Sequence, residues 1–239
     1  MSTTDTLNLQ ALFGLAPEAA IAHLKSKGIH IGWNWQDTLD EAHARSFTIA
    51  KMTQMDMLAS TRKAVINAMT SGGGYREFEE KAGEYLKKQG WWGKQEINGE
   101  MVQLGSPRRL SIIYHTNRRS AIMAAKYQRL SEAADTHPYW QYSAVLDGNT
   151  RPTHQAMHGA VYVHDDPFWQ HAFPPNGYGC RCTVKALTEE RAKESGKIVQ
   201  SDLQPFDQYI GTDKSTGEIY QATRYGTADS AAQRRCTLR

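Results

Sequence analysis

Residues 139–159, Tyr139-Trp-Gln-Tyr-Ser-Ala-Val-Leu-Asp-Gly-Asn-Thr-Arg-Pro-Thr-His-Gln-Ala-Met-His-Gly159, decide how this chain is read, together with Cys180-Arg-Cys182 downstream. Tyr139 to Leu146 is aromatic and β-branched enough for a strand. Asp147, Gly148 and Asn149 supply turn chemistry, after which Thr150 or Arg151 caps a short helix with Pro152 in its first turn and Gly159 at its end. On that helix His154 and His158 stand at i and i+4, a spacing that lets two imidazoles share one ion. In an extended Cys180-Arg-Cys182 the two sulfurs point the same way, because strand side chains repeat with period two.

Two His and two Cys form a candidate four-coordinate zinc set, His154, His158, Cys180 and Cys182, with a structural role because no position is left open for water. Zinc-finger cysteines are usually two to four residues apart, so the spacing also admits hydrogen-bonded histidines and small buried thiols. Catalytic readings are weaker. A zinc-peptidase helix needs Glu directly after its first His, and Gln155 stands there. Cys180 has no recognisable nucleophile motif around it, and Gly72-Gly73-Gly74 lacks the Lys-Ser or Lys-Thr of a phosphate loop. No enzyme is indicated.

Upstream of this stretch the periodicity is helical. Pro17 to Gly28 suits a short helix, and Ile29 to Trp35 a brief extended segment. From Asp37 to about Thr70 no Gly or Pro intervenes, and Leu39, Ala42, Ala50, Met57, Leu58, Val65, Ile66 and Met69 predict one long helix or two in tandem. The methionines from Met52 to Met69 read as core fillers. Tyr75, Phe78, Ala82, Tyr85 and Leu86 stripe the next helix, ended by Gly90. Asn98-Gly99 marks a hairpin within Glu96 to Leu104, and Ser106-Pro107 opens a helix reaching about Ala134. That helix carries Arg108, Arg109, Arg118, Arg119, Lys126 and Arg129 against the single acid Glu132. Arg108, Arg119 and Lys126 fall on nearly one face, which can meet DNA phosphates or an acidic partner, or can be simply a solvated face.

Ala160 to Val163 and Arg181 to Val184 are short strand candidates beside Tyr139–Leu146. The expected fold is therefore α+β, a mainly helical N-terminal part followed by a small β-containing module with a His-bearing helix and a Cys-x-Cys strand. We divide the chain into residues 1–36, an arm and short helix; 37–134, helical with a hairpin; 135–190, the His/Cys module; and 191–239, a polar tail. With 40% hydrophobic and 22% charged residues the chain is expected to fold, and a net charge of +3 does not by itself imply nucleic-acid binding. No apolar run approaches a membrane span and the N-terminus lacks the order of a signal peptide, so a cytoplasmic site of synthesis and no membrane partner are expected. Three cysteines, Cys180, Cys182 and Cys236, argue against a disulfide framework and for a metal or free thiols.

The stretches Tyr139-Trp-Gln-Tyr142, Leu146-Asp147, Thr150 to Gly159, Asp165-Asp-Pro-Phe-Trp169 and Pro174-Pro-Asn-Gly-Tyr-Gly-Cys-Arg-Cys182, in this order, closely resemble the phage Mu F-like minor head proteins. The likeness extends upstream through Ile31-Gly-Trp33, Glu41 to Arg45, Gly90 to Gln95, Gln103 to Arg109 and Tyr114 to Asn117, and covers roughly residues 17–188. It implies a minor capsid protein of a tailed bacteriophage or prophage. Such a protein is present in the virion at the portal or inner head, acts in head morphogenesis, and has portal or capsid proteins and packaged double-stranded DNA as partners. In the resembling proteins a Cys-x-x-Cys often replaces Arg151 to His154. His154 then stands at the second cysteine, Arg151 at the first cannot bind metal, and His158 becomes the substitute ligand. Asp147, Thr150 and Arg151 belong to the signature turn. The alternative function is a metal-dependent hydrolase or nuclease, or a toxin-type effector built on the same module. The tail beyond Ser201 is short for an independent enzyme.

Overall fold

The computed structural model describes residues 18–34, 46–195, 204–212 and 219–226. Leu39, Ala42 and Cys236 lie outside the described residues, as do the start of the expected arm and the end of the tail. Two compact units divide between Ala125 and Lys126, inside a helix, whereas the sequence reading placed its boundary after residue 134. The fold is α+β, with helices dominating the first unit and small sheets the second.

Unit 1 contains α1 (Glu18–Ser26), β1 (Gly28–Ile29), β2 (Ser46–Phe47), α2 (Met55–Thr70), α3 (Gly74–Lys88), β3 (Lys94–Ile97) and β4 (Glu100–Gln103), and most of α4 (Pro107–Glu132). The expected run of one or two helices from Asp37 to Thr70 is corrected over 46–54, where Ser46–Phe47 pairs in parallel with Gly28–Ile29 ahead of the helix at Met55; its part from 37 to 45 lies outside the described residues. The physical reason is local: Phe47, Thr48 and Ile49 are all buried, which a brief extended run achieves and a one-sided helix stripe does not. Leu58, Val65, Phe78, Leu86 and Leu110 centre the core that α2, α3 and α4 share. Met52, Met57 and Met69 are buried in it, as core fillers should be, but Met55 is exposed at the start of α2.

Asn98 and Gly99, both at positive φ, turn β3 into β4 with Lys94 opposite Gln103 and Ile97 opposite Glu100. Ser106 caps α4, its Oγ accepting the Arg109 N–H at 3.2 Å. Leu110, Ile113, Tyr114, Asn117 and Ala121 form the buried stripe of α4, joined by Met123 and Ala125.

In unit 2, β5 (Tyr139–Ser143) is the middle of an antiparallel three-stranded sheet, with β6 (Val161–Val163) on one side and β7 (Thr183–Leu187) on the other. Between them come α5 (Pro152–Ala156) and α6 (Phe168–Ala172), and α7 (Glu189–Glu194) follows β7. Trp140 packs edge-on to Trp169, Phe173 and Tyr127, so the core of this small sheet is aromatic. The polar tail holds a hairpin that the sequence reading missed: β8 (Gln204–Thr212) pairs with β9 (Ile219–Gly226), and β9 lies against α5 and α6. Among the described residues no helix is long and apolar enough to cross a membrane.

Gly105 is a position in unit 1 that backbone and an aromatic ring close off. Its carbonyl accepts the Gly93 N–H at 2.9 Å, and a Cβ placed on it would meet the Trp91 carbonyl oxygen at 2.5 Å and the Trp92 ring at 2.6 Å. Gly105→Ala is therefore expected to cost about 1–3 kcal/mol in urea denaturation, the usual penalty of forcing atoms into a filled site. An unchanged midpoint would show that the Trp91–Trp92 segment yields.

Candidate metal centre

Three short elements build the site. The chain leaves β5 at Ser143, turns through Asp147 to Thr150, and enters α5 with Pro152 at its first turn. The Asp147 carboxylate accepts the N–H of Asn149 at 3.0 Å and the hydroxyl of Thr150 at 3.2 Å, which fixes the turn. His154 is buried on α5. Cys180 and Cys182 lie in the extended lead-in to β7, ahead of the strand rather than in it. The alternation expected of a strand nevertheless holds, since both sulfurs are buried and Arg181 between them is exposed.

His154 Nδ1 faces both sulfurs, 3.4 Å from Cys182 Sγ and 3.9 Å from Cys180 Sγ, and the three donor atoms lie within 4.8 Å of one another. All three side chains are interior: His154 is 4% exposed, Cys180 5% and Cys182 2%. Beneath them Tyr142, fully buried on β5, donates its hydroxyl to Cys182, while Asn176 Nδ2 donates to the Tyr142 oxygen at 3.2 Å. Hydrogen bonding from Cys182 draws the Cys180 thiol well below its ordinary value, against the opposing effect of burial. His154 and the backbone N–H groups of Asn176 and Cys182 add to the lowering. Burial and the hydrogen bond to Cys182 push the Tyr142 phenol upward, so it stays a neutral donor.

His158 does not join the group, and the expected four-residue set is corrected to three. α5 ends at Ala156, so His158 sits in the following turn and not one helical turn above His154. Its Nδ1 accepts the Ala144 backbone N–H at 3.1 Å, which ties the turn back to the end of β5. Arg151 likewise serves the frame: its guanidinium donates to the Tyr178 carbonyl at 2.5 Å. Arg181, which the sequence reading passed over, forms a two-pronged ion pair with Asp147 at 2.6 and 2.5 Å. The alternation around Cys180 and Cys182 was the available signal, because it sets Arg181 on the opposite face.

The basic helix divides by use. Arg109 turns inward, donating to the carbonyls of Gln103 at 2.6 Å, Leu104 at 3.1 Å and Ala50, with its guanidinium 4.7 Å from the centre of the Trp91 ring. Lys126 donates to Thr183 Oγ1 at 2.8 Å. Arg118 and Arg119 are half-buried, Arg118 lining a cavity of about 200 Å³ with Tyr75, Tyr114 and His115, and Arg108 and Arg129 are exposed. The single face expected of Arg108, Arg119 and Lys126 is therefore interrupted, because Lys126 is drawn to β7.

Comparison with known proteins matches residues 59–185 to the family model described as Phage Mu protein F like protein. The putative capsid assembly protein F of Escherichia phage Mu is 45% identical over 227 residues, covering 92% of this chain and 52% of that protein. The Mu-like prophage FluMu F protein of Haemophilus influenzae is 46% identical over 199 residues, covering 82% of this chain and 48% of the relative. The chain thus spans about half the length of the curated relatives it matches. No solved structure matches it.

The Asp147–Arg181 pair gives the site a pH signature. Hydrogen bonds from Arg181, with help from Asn149 and Thr150, hold the Asp147 carboxyl at about 2, below an unfolded value near ~3.9. A lowered acid contributes stability above its unfolded value and loses it as pH falls toward the folded one. The difference in thermal midpoint between the wild type and Asp147→Asn should therefore shrink between about pH 4 and pH 2. A difference that stays constant across that window would show that the pair does not form.

Proposed function

The chain belongs to the Phage Mu protein F like family, and on that footing we propose that it acts in assembly of a tailed-phage head, at the portal or on the inner face of the capsid. The observation that carries the reading is the 45% identity over 92% of the chain to a protein named for capsid assembly. The shared region includes both the helical unit and the His/Cys module, since the family match runs from α2 into β7.

The partners we assign are portal or capsid proteins, and the role is structural rather than catalytic. Burial of His154, Cys180 and Cys182 supports that reading, because a nucleophile or an activated water has to meet its substrate. A hydrolase, nuclease or toxin-type activity has no specific observation in its favour. Contact with packaged DNA falls in unit 1 to Arg108 and Arg118, since Arg109 is committed to backbone carbonyls.

Two measurements test this. The protein should cosediment with proheads assembled in its presence and copurify with portal protein, and absence from both fractions would remove the assembly role. Each phosphate contact adds about 0.9 to the slope of log affinity against log salt. Replacing Arg108 and Arg118 with Gln should therefore flatten that slope for duplex DNA by about 2; an unchanged slope would leave protein partners alone.

A further inference from the structure

We propose that His154, Cys180 and Cys182 hold a structural zinc ion, with His154 binding through Nδ1 and His158 outside the ligand set. The distances carry the argument. Zinc–sulfur bonds of about 2.3 Å and zinc–nitrogen bonds of about 2.0–2.1 Å, at tetrahedral angles, place a nitrogen and a sulfur on one ion about 3.6 Å apart. The two observed separations, 3.4 and 3.9 Å, straddle that value. A hydrogen bond explains them less well. One ring nitrogen carries either one proton or one in-plane lone pair, so two sulfurs would have to share it in a weaker three-centre bond, whereas one ion satisfies all three donors.

The donor set fits zinc in kind as well as distance. Thiolate and imidazole together are zinc ligands, and hard oxygen-seeking cations avoid sulfur. The sulfurs are also supplied with donors, as metal thiolates usually are: Tyr142 donates to Cys182, and the N–H groups of Asn176 and Cys182 to Cys180. Three protein donors leave one vertex for a further ligand, and the burial of all three side chains, which keeps a substrate from that vertex, now carries the structural role in place of a closed four-residue set.

Asp147 and Arg181 are positioning residues for this ion. Arg181 lies between the two cysteines and points away from them to Asp147, on the turn that leads into α5. The pair therefore fixes the spacing between the segment that carries the imidazole and the segment that carries the sulfurs, without touching the ion. Removing such a partner usually costs about 10–100-fold in metal affinity.

The full chain, purified without chelator, is expected to contain about one zinc per chain by elemental analysis, released when a mercurial titrates the thiols. X-ray absorption at the zinc edge should show two sulfur neighbours together with lighter ones, a readout that needs no variant. His154→Ala and Cys182→Ser should lose the ion, His158→Ala should keep it, and Arg181→Gln should weaken zinc binding about 10–100-fold with all three donors in place. Protein that holds no zinc after purification and after addition of a zinc salt overturns the site. Iron or copper in its place overturns the choice of ion, and a shell of oxygen and nitrogen alone overturns the ligands. Loss of zinc from His158→Ala with retention in His154→Ala overturns the assignment of the imidazole. Unchanged affinity in Arg181→Gln removes the positioning role.

Discussion

β5 is the strand on which unit 2 depends, because in the β6-β5-β7 sheet it alone is paired on both edges, and its two buried side chains share one face and one core with the cysteines. Trp140 belongs to the aromatic cluster with Trp169 and Phe173, while Tyr142, two residues on, lies beneath the sulfurs and binds Asn176. Apolar packing and the polar site are thus set by the register of one five-residue strand. A slip by one residue would turn Trp140 and Tyr142 out together, so burial of the aromatics also fixes the floor of the His/Cys group.

Much of this was legible in the residues. The Asn98-Gly99 turn and the Ser106 start of α4 are local signals whose physics acts within a few residues, and each stands where the sequence placed it. Strand β5 and the short helix after Pro152 were legible for the same reason. What could not be read was set by distance in space. Ser46–Phe47 becomes a strand because Gly28–Ile29 lies beside it, and helical periodicity through the neighbouring residues gave no sign of that partner. The β8–β9 pair hides in polar, Gly-punctuated sequence, and the two strands are recognised only by their pairing with each other.

The site shows the same division. His154, Cys180 and Cys182 were found by residue type and spacing, and the structure brings them together. His158 was misplaced because the i, i+4 argument assumes that the helix continues, and α5 stops two residues short of it. Arg181 was overlooked because its partner, Asp147, is distant in the chain. On α4 helical geometry alone put Lys126 in a row with Arg108 and Arg119, but it could not foresee that Thr183 takes the Lys126 ammonium. Charge counted along a helix overstates what faces solvent whenever a neighbouring element offers acceptors.

The contacts around the site span overlapping stretches of the chain. Asp147 reaches Arg181, Arg151 reaches the Tyr178 carbonyl, and His154 reaches Cys180 and Cys182, so three ties close nearly the same loop, which contains β6 and α6. Closing a flexible loop costs entropy that grows only with the logarithm of its length, and most of that cost falls on whichever tie forms first. The remaining ties then join ends already close together and need order only a few more residues. For the unfolded chain this makes the module behave like a zipper: its polar contacts form or fail as a group, and losing any one raises the entropic cost that the others must meet.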